Sequence, residues 1–540
     1  MPGLTERAIV VAMLLYTYAS VKAVDHRELL DAFYDLSVVQ EMRIAISPSD
    51  REQMVRALPE RVYVPGTFEW RGHTIENVGV RFKGNSSSSP DQRHKRSFLV
   101  KVNEFEKGQR FLGLRRVALD NAVQFGSLFS EPLITEILRD LGLPASRCNF
   151  TRLFVNDEYQ GVYVNVERVD ESFVQTQFGK PMGPLFKGEG GPGGNLASVG
   201  NEVALYQKGF EAKTDAAEDA FDALVAFILA VSSPPNSQDL EVLKGVMAID
   251  DFLRTMAVML FSGAFDQLTG WNPHNYYLYR SVDDGRWHYL TSDLDVGFAD
   301  KAFGRIPVID GWNAAWPVTG GPPRPLLEKI LSDSTLLERY RSEADRILES
   351  YFRPEQLNSK LDALYRMIED DLEKDPFPPG RVTVPSDRDY ADTIASMKAF
   401  VDRRYREARR QLDQPGARPR AVSPLPSAPR NQNQQPQPGE LKGAPSELRV
   451  VARDGHSVHL EWQDNAENEH AHVVQRTDGR DHSIFYNHIG KPGRDVTRAV
   501  DKNFDPSLTY RYRVYAVFPS VRGPIGTGVS NHVVSEPGAR

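Results

Sequence analysis

The sequence predicts an α+β body of two lobes, followed by a linker and an all-β C-terminal sandwich. Three observations predict it. Strand-like runs and turns dominate the early part of the body, and helical spacing dominates from Ala216 to Leu412. The segment Gln414 to Ala444, rich in Pro, Gln and Asn and nearly free of large apolar residues, cannot bury a core and reads as an extended linker. Beyond it the chain alternates with period 2, as in Ser457–Trp462 and Tyr510–Ala516. At 540 residues the chain is too long for one hydrophobic core.

The elements follow in order. Ala8 to Ala19 is an apolar run too short to span a bilayer comfortably, with Arg7 before it and Val21-Lys22-Ala23 after it. This pattern predicts a signal peptide over residues 1–23 and a secreted, periplasmic or cell-surface location, with no stable membrane span beyond that segment. A plain N-terminal helix and an uncleaved anchor are the alternatives. The body covers residues 27–412, with a β-rich lobe at about 27–182. Strands fit Val62–Trp70, Thr74–Lys83, Ser97–Val102, Thr151–Val155 and Gly161–Glu167, and a helix fits Ser130–Leu141, with Pro132 early in it and Gly142 just past its end. A glycine-rich stretch, Gly183 to Gly200, reads as a flexible loop. The α-rich lobe at about 200–412 holds helices at Ala216–Val231, Asp250–Phe265, Pro325–Phe352 and Asp387–Leu412. A linker covers 413–444 and the all-β unit 445–536.

Composition excludes several classes. A formal net charge of −8 without a basic stripe argues against a nucleic-acid partner. The single cysteine, Cys148, excludes an intrachain disulfide framework and any multi-cysteine zinc site. His456, His459 and His470 lack acidic partners at ligand-like spacing and read as surface histidines.

The densest chemical signal runs from Ser262 to Phe298. Asp266 follows the helix from Asp250, and a loop with Gly270 and Pro273 leads to Asn275. Tyr276–Arg280 and Arg286–Thr291 form a predicted hairpin closed by Asp283-Asp284-Gly285, with Asp293-Leu294-Asp295 directly after it. The hairpin brings Asn275 and Asp293 together at its open end. Magnesium takes hard oxygen ligands, which an amide and one or two carboxylates supply together with phosphate oxygens. Asp266, free of metal, is placed to orient or deprotonate an acceptor hydroxyl. The structural alternative has these residues capping turns and loops. Asp-x-Asp alone also fits a metal-dependent nucleotide-sugar glycosyltransferase. His274 reads as a hydrogen-bonded loop residue. On a strand starting at Lys95, the side chains of Lys95, Ser97, Leu99 and Lys101 share a face, and one lysine there is placed to reach phosphates, held by Glu131 or Glu136.

These pieces carry a resemblance. Val78-Gly79-Val80-Arg81-Phe82-Lys83-Gly84-Asn85-Ser86, Lys95-Arg96-Ser97-Phe98, Val155 to Tyr163 with Glu167, Asn275-Tyr276-Tyr277-Leu278-Tyr279 and Ser292-Asp293-Leu294-Asp295 stand in one order. Together they resemble the CotH kinase family, first known from spore-coat proteins and distantly similar to eukaryotic protein kinases. The resemblance implies a two-lobed protein-kinase-like fold, ATP with Mg2+ or Mn2+, and transfer to Ser/Thr hydroxyls of a protein substrate. It gives Asp266 the catalytic role and Asn275, Asp293 and Asp295 the metal. Arg81, Lys83, Lys95 and Glu167 go to the nucleotide side, with Lys95 as the phosphate-contacting lysine. Ser292 stands where the family often has tryptophan, and Asp266 and Asn275 are further apart than in ordinary protein kinases. The C-terminal unit resembles a fibronectin type III domain through Trp462 and the Leu508-Thr509-Tyr510 corner, which implies binding to a surface matrix or polysaccharide. A non-catalytic coat or surface scaffold with the same fold is the rival from a different class.

Overall fold

The computed structural model describes the chain from His26 to Glu536. Outside the described residues lie 1–25, 85–94, 123–126, 234–238, 321–322, 378, 380, 382, 385, 421–442, 468, 470, 478–485, 491, 503–505, 508, 519–524, 527–529, 531–532 and 537–540. The expected signal peptide, the Asn85-Ser86 turn, most of the linker, His470 and Leu508 fall there.

Alternating apolar residues close the first half of the body into a barrel. After α1 (His26–Phe33) come β1 (Gln40–Ile46), α2 (Pro48–Arg56), β2 (Val64–Trp70), β3 (His73–Lys83), β4 (Ser97–Lys101), β5 (Arg116–Asp120), α3 (Ser130–Asp140), β6 (Cys148–Val155) and β7 (Glu158–Val166). The strands join in the order β1-β2-β3-β4-β5-β7-β6, and a parallel pairing of β1 with β6 closes the ring. Ile44, Phe68, Trp70, Val80, Val100 and Leu119 fill its interior. β6 and β7 serve two cores: Leu153 and Tyr163 face the barrel, while Phe150, Val162 and Val164 pack against α3 and the helices beyond. Period 2 on a strand buried on both sides produces this division.

The second half is mainly helical around a small sheet. α4 (Glu171–Phe178), β8 (Leu185–Gly188), β9 (Phe210–Ala212), α5 (Asp215–Glu218), α6 (Phe221–Ser232), α7 (Asp239–Val246) and α8 (Ile249–Ser262) lead to β10 (Tyr276–Arg280) and β11 (Trp287–Thr291), followed by a short pair, β12 (Lys301–Ala302) and β13 (Ile306–Pro307). The sheet order is β11-β10-β8-β9. α9 (Pro325–Ser332), α10 (Ser334–Tyr351), α11 (Pro354–Leu372) and α12 (Tyr390–Asp413) complete the body. The single helix expected over Pro325–Phe352 is two, because the Asp333 side chain accepts from the amides of Thr335 and Leu336 and starts a new helix. The glycine-rich stretch is packed and does not read as a flexible loop. Tyr276 Oη donates to Gly194 O at 2.9 Å, and a Cβ on Gly188 would stand 2.6 Å from the Tyr276 ring. Among the described residues, no helix is long and apolar enough to cross a membrane.

The C-terminal unit is all-β. One sheet holds β14 (Ser446–Arg453), β15 (Val458–Gln463) and β18 (Arg498–Asp501). The other holds β16 (Ala471–Thr477), β17 (Tyr486–Gly490), β19 (Tyr510–Phe518), β20 (Ile525–Gly526) and β21 (Val533–Ser535). Trp462, Val474, Tyr510 and Tyr512 lie in its core.

Lys95 is a structural residue in this fold. Its Nζ donates to Asp375 Oδ2 at 2.6 Å and Val162 O at 2.5 Å, with neither charged side chain exposed to solvent. Asp375 also accepts from the Val162 amide at 3.0 Å, and it lies against Gly161, where a Cβ would meet its carboxylate at 2.3 Å. Asp375→Ala strands a buried ammonium and is expected to cost about 3–5 kcal/mol in urea denaturation. An unchanged midpoint would show that the pair contributes nothing.

Candidate functional site

The site begins with strand register. Lys83 ends β3 opposite Ser97, and Phe98 pairs with Leu119, so Lys83 and Asp120 meet at one rim of the barrel. Lys83 Nζ donates to Asp120 Oδ1 at 2.6 Å and stands 3.9 Å from Asp293 Oδ1. The Asp293 side chain is 51 % exposed and the Asp120 side chain 10 %, so one carboxylate anchors the lysine while the other faces solvent. Burial alone would lower the Lys83 pKa; Asp120 and Asp293 outweigh it, and the ammonium is held charged.

The hairpin delivers the other side. Tyr276 pairs with Thr291, and the Ser292 amide donates to Asn275 O at 3.0 Å, which sets Asn275 and Asp293 at its open end as expected. Both residues take left-handed backbone conformations, with φ of 56° and 58°. Asn and Asp tolerate this conformation better than most residues. Asp266 lies after the left-handed Gly263 that caps α8. It accepts from Asn272 Nδ2 at 2.6 Å and Asn275 Nδ2 at 3.2 Å, and His274 Nε2 stands 3.3 Å away. His274 is therefore the loop residue expected, placed on Asp266. Gln267 Nε2 donates to Ser292 O at 2.9 Å and ties this loop to the Asp293 segment. Burial first, then Asp293 among the opposing influences of its neighbours, pushes Asp266 up to about 6.

Behind Asp293 lies a cluster of buried carboxyl groups. Glu131, in the first turn of α3, is 1 % exposed, and its Oε2 has no hydrogen-bond partner. Burial, then Asp120 and Asp293, pushes it up to about 8. Asp295 is held well above the usual carboxylate range by burial and by Asp293, Glu131 and Asp120. Arg168, just past β7, feels Asp120 and Asp293, and its Nε is buried without a hydrogen-bond partner. These four carboxylates do not converge as a three-ligand cage. A magnesium ion needs only one or two of them when phosphate oxygens supply the rest. Asn275 spends its amide nitrogen on Asp266, which leaves its oxygen as a donor beside Asp293. The orphaned atoms of Glu131 and Arg168, the cluster of carboxyl groups and the charged lysine fit a polyanion carried with a divalent ion.

Not every expected residue comes here. Lys95 is held by Asp375, so Lys83 is the lysine at the carboxylates. Glu167 does not face the site either: it forms a buried two-pronged pair with Arg147, at 2.9 Å from Nε and 2.5 Å from Nη2. Arg81 shares the β3 face of Lys83 but stacks over Tyr63 at 5.1 Å and bonds Phe82 O. Glu136 pairs with Lys360. Asp120 and Arg168 were not singled out from the sequence. Their signal was a charged residue at the end of an apolar strand, which is common and weak.

A carboxyl raised from 4.5 to about 8 keeps its proton in the folded chain after the unfolded chain has lost it. Stability therefore falls as pH rises from about 4.5 to about 8. The thermal midpoint of the ligand-free chain is expected to drop across this window, and Glu131→Gln is expected to flatten the drop. An equal slope in Glu131→Gln would show that Glu131 does not carry it.

Residues 80–408 match the family described as CotH kinase protein. Inner spore coat protein H of Bacillus subtilis (strain 168) is 22 % identical over 344 residues, covering 62 % of this chain and 88 % of that protein. Invasin CotH3 of Rhizopus delemar is 21 % identical over 338 residues, covering 58 % of this chain and 53 % of the invasin, so the chain spans about half that relative's length. Among solved structures, a myokine shares 16 % identity over 17 % of this chain and 95 % of that chain, with a TM-score of 0.15. A human FNIII domain shares 20 % over 18 % of this chain and 81 % of that chain, with a TM-score of 0.16. At those scores neither bears on the fold. The family match extends from the rim strand that carries Lys83, through Asp266, Asn275 and Asp293, to the last helix of the body, and the chain belongs to the CotH kinase protein family.

Proposed function

We propose that the chain is a secreted or surface-located phosphotransferase that moves the γ-phosphoryl group of ATP to Ser/Thr hydroxyls of a protein. The observation that carries the reading is the approach of Lys83 to Asp293 at 3.9 Å, with Asn275 and Asp266 on the same hairpin end. ATP with Mg2+ or Mn2+ supplies the transferable group and the charge neutralisation. Asp293 and the Asn275 oxygen hold the metal, and Lys83 with Arg168 balances the phosphates. Asp266, fixed by Asn272, Asn275 and His274, orients the acceptor hydroxyl and takes its proton as the new O–P bond forms and ADP leaves. At about 6 its pKa leaves it mostly ionised at neutral pH while keeping it a useful base.

Asp295 sits with Glu131 behind Asp293, which disfavours a paired Asp-x-Asp metal grip of the glycosyltransferase kind. The names of the two relatives, a spore-coat protein and an invasin, support a coat or surface location. The two-sheeted C-terminal unit, read as fibronectin type III-like, serves as a tether to matrix or polysaccharide.

ATP with Mg2+ is expected to raise the thermal midpoint of the wild type and to leave Asp293→Ala unchanged. Asp266→Asn is expected to keep the shift and lose phosphate incorporation by about 10²–10⁴-fold. A wild type that neither shifts nor labels any protein would favour the non-catalytic scaffold.

A further inference from the structure

We infer that the C-terminal unit carries a transition-metal site, with zinc as the fitting ion, formed by Asp464, Glu469 and His472. Among the described residues, this is the one place where three His, Cys, Asp or Glu ligand atoms lie within 4.8 Å of one another. Asp464 directly follows β15, and His472 is the second residue of β16, so the site closes the crossing from one sheet to the other.

The second observation is the state of the histidine. The His472 side chain is 0 % exposed, and neither ring nitrogen makes a hydrogen bond. Its Nε2 stands 3.3 Å from Asp464 Oδ1, without hydrogen-bond geometry. Glu469 is equally buried: its Oε1 accepts from the Asp495 amide at 2.9 Å, while its Oε2 has no partner. A buried imidazole and a buried carboxylate oxygen left unbonded are each costly, and one cation relieves both.

The donor set selects the ion. Two carboxylates and one imidazole suit zinc, whereas calcium and magnesium take oxygen alone. Ligand atoms in a tetrahedral zinc site with bonds of about 2.0–2.1 Å stand roughly 3.3–3.5 Å apart, close to the Nε2 to Oδ1 distance. The Asp464 side chain is 15 % exposed, which leaves a route for water to a fourth position. The Ala466 amide at 2.9 Å from Asp464 Oδ1 and the Asp495 amide on Glu469 orient the two carboxylates. The sequence reading set His456, His459 and His470 aside and did not single out His472, although Asp464, Glu469 and His472 lie within nine residues of one another on the connection from β15 into β16.

The test uses the full chain, stripped with chelator and dialysed against Zn2+. Asp293→Ala serves as the parent, so that the metal-holding carboxylate assigned to the body under the proposed function does not contribute. One equivalent of zinc is expected in that parent, with affinity falling at least about 100-fold in His472→Phe and in Glu469→Gln. Excess Mg2+ or Ca2+ should not displace it. Zinc should raise the unfolding midpoint of the C-terminal unit in the parent and leave His472→Phe unshifted. If His472→Phe fails to fold, Glu469→Gln, which keeps the side-chain volume, carries the same decision. No zinc uptake by the parent, or equal uptake by a folded His472→Phe or Glu469→Gln, overturns the proposal.

Discussion

One ammonium group joins the two halves of the body. Lys83 ends a barrel strand, yet its charge is shared between Asp120 on the barrel and Asp293 on the hairpin. Because the lysine is only 16 % exposed, it needs those carboxylates, and they in turn would repel one another without it. The barrel rim and the hairpin end are thus fixed in relation to each other by a contact that is electrostatic and only partly screened. The Gln267 bond to Ser292 extends that constraint to Asp266. The same cluster holds buried polar atoms without hydrogen-bond partners, Glu131 Oε2 and Arg168 Nε.

The hairpin half of the site was legible in the sequence. Asn275 and Asp293 flank strands whose pairing is set by a short Asp-Asp-Gly turn, and local register alone brings them together. The barrel half was not legible. Asp120 reaches Lys83 through β4, and Arg168 approaches through β7, so their meeting depends on the whole barrel closing. Lys95 misled for a local reason: the strand starts at Ser97, so the face pattern drawn from Lys95 did not apply to it. Glu167 misled because its partner, Arg147, lies across the turn into β6, at a separation that motif reading ignores. The helix break at Asp333 was available in principle, as an Asp placed before Ser334 and Thr335 is an ordinary capping signal.

Some of the buried charge in this protein is balanced. Arg381 pairs with Asp387 at 2.9 Å, and Arg147 is held by Glu167 and Asp31. Other buried polar groups are left unbonded, as at Glu131 Oε2 and at both ring nitrogens of His472. Removing one partner from a buried ion pair is costly because it leaves an uncompensated charge. Lys95 and Lys83 both sit beside an aspartate, but Lys95 is fully buried against Asp375, whereas Lys83 is 16 % exposed and also faces Asp293.

The pairing of Lys95 with Asp375 spans 280 residues of sequence. A chain emerging from the ribosome makes β3, β4 and β7 long before it makes Asp375. Until then Lys95 must either stay in water, which holds that part of the barrel open, or enter the interior without its counter-charge. A product terminated before residue 375 therefore leaves Lys95 without its buried counter-charge. The segment after α11 thus ties the end of the helical lobe to the start of β4 through one buried ion pair.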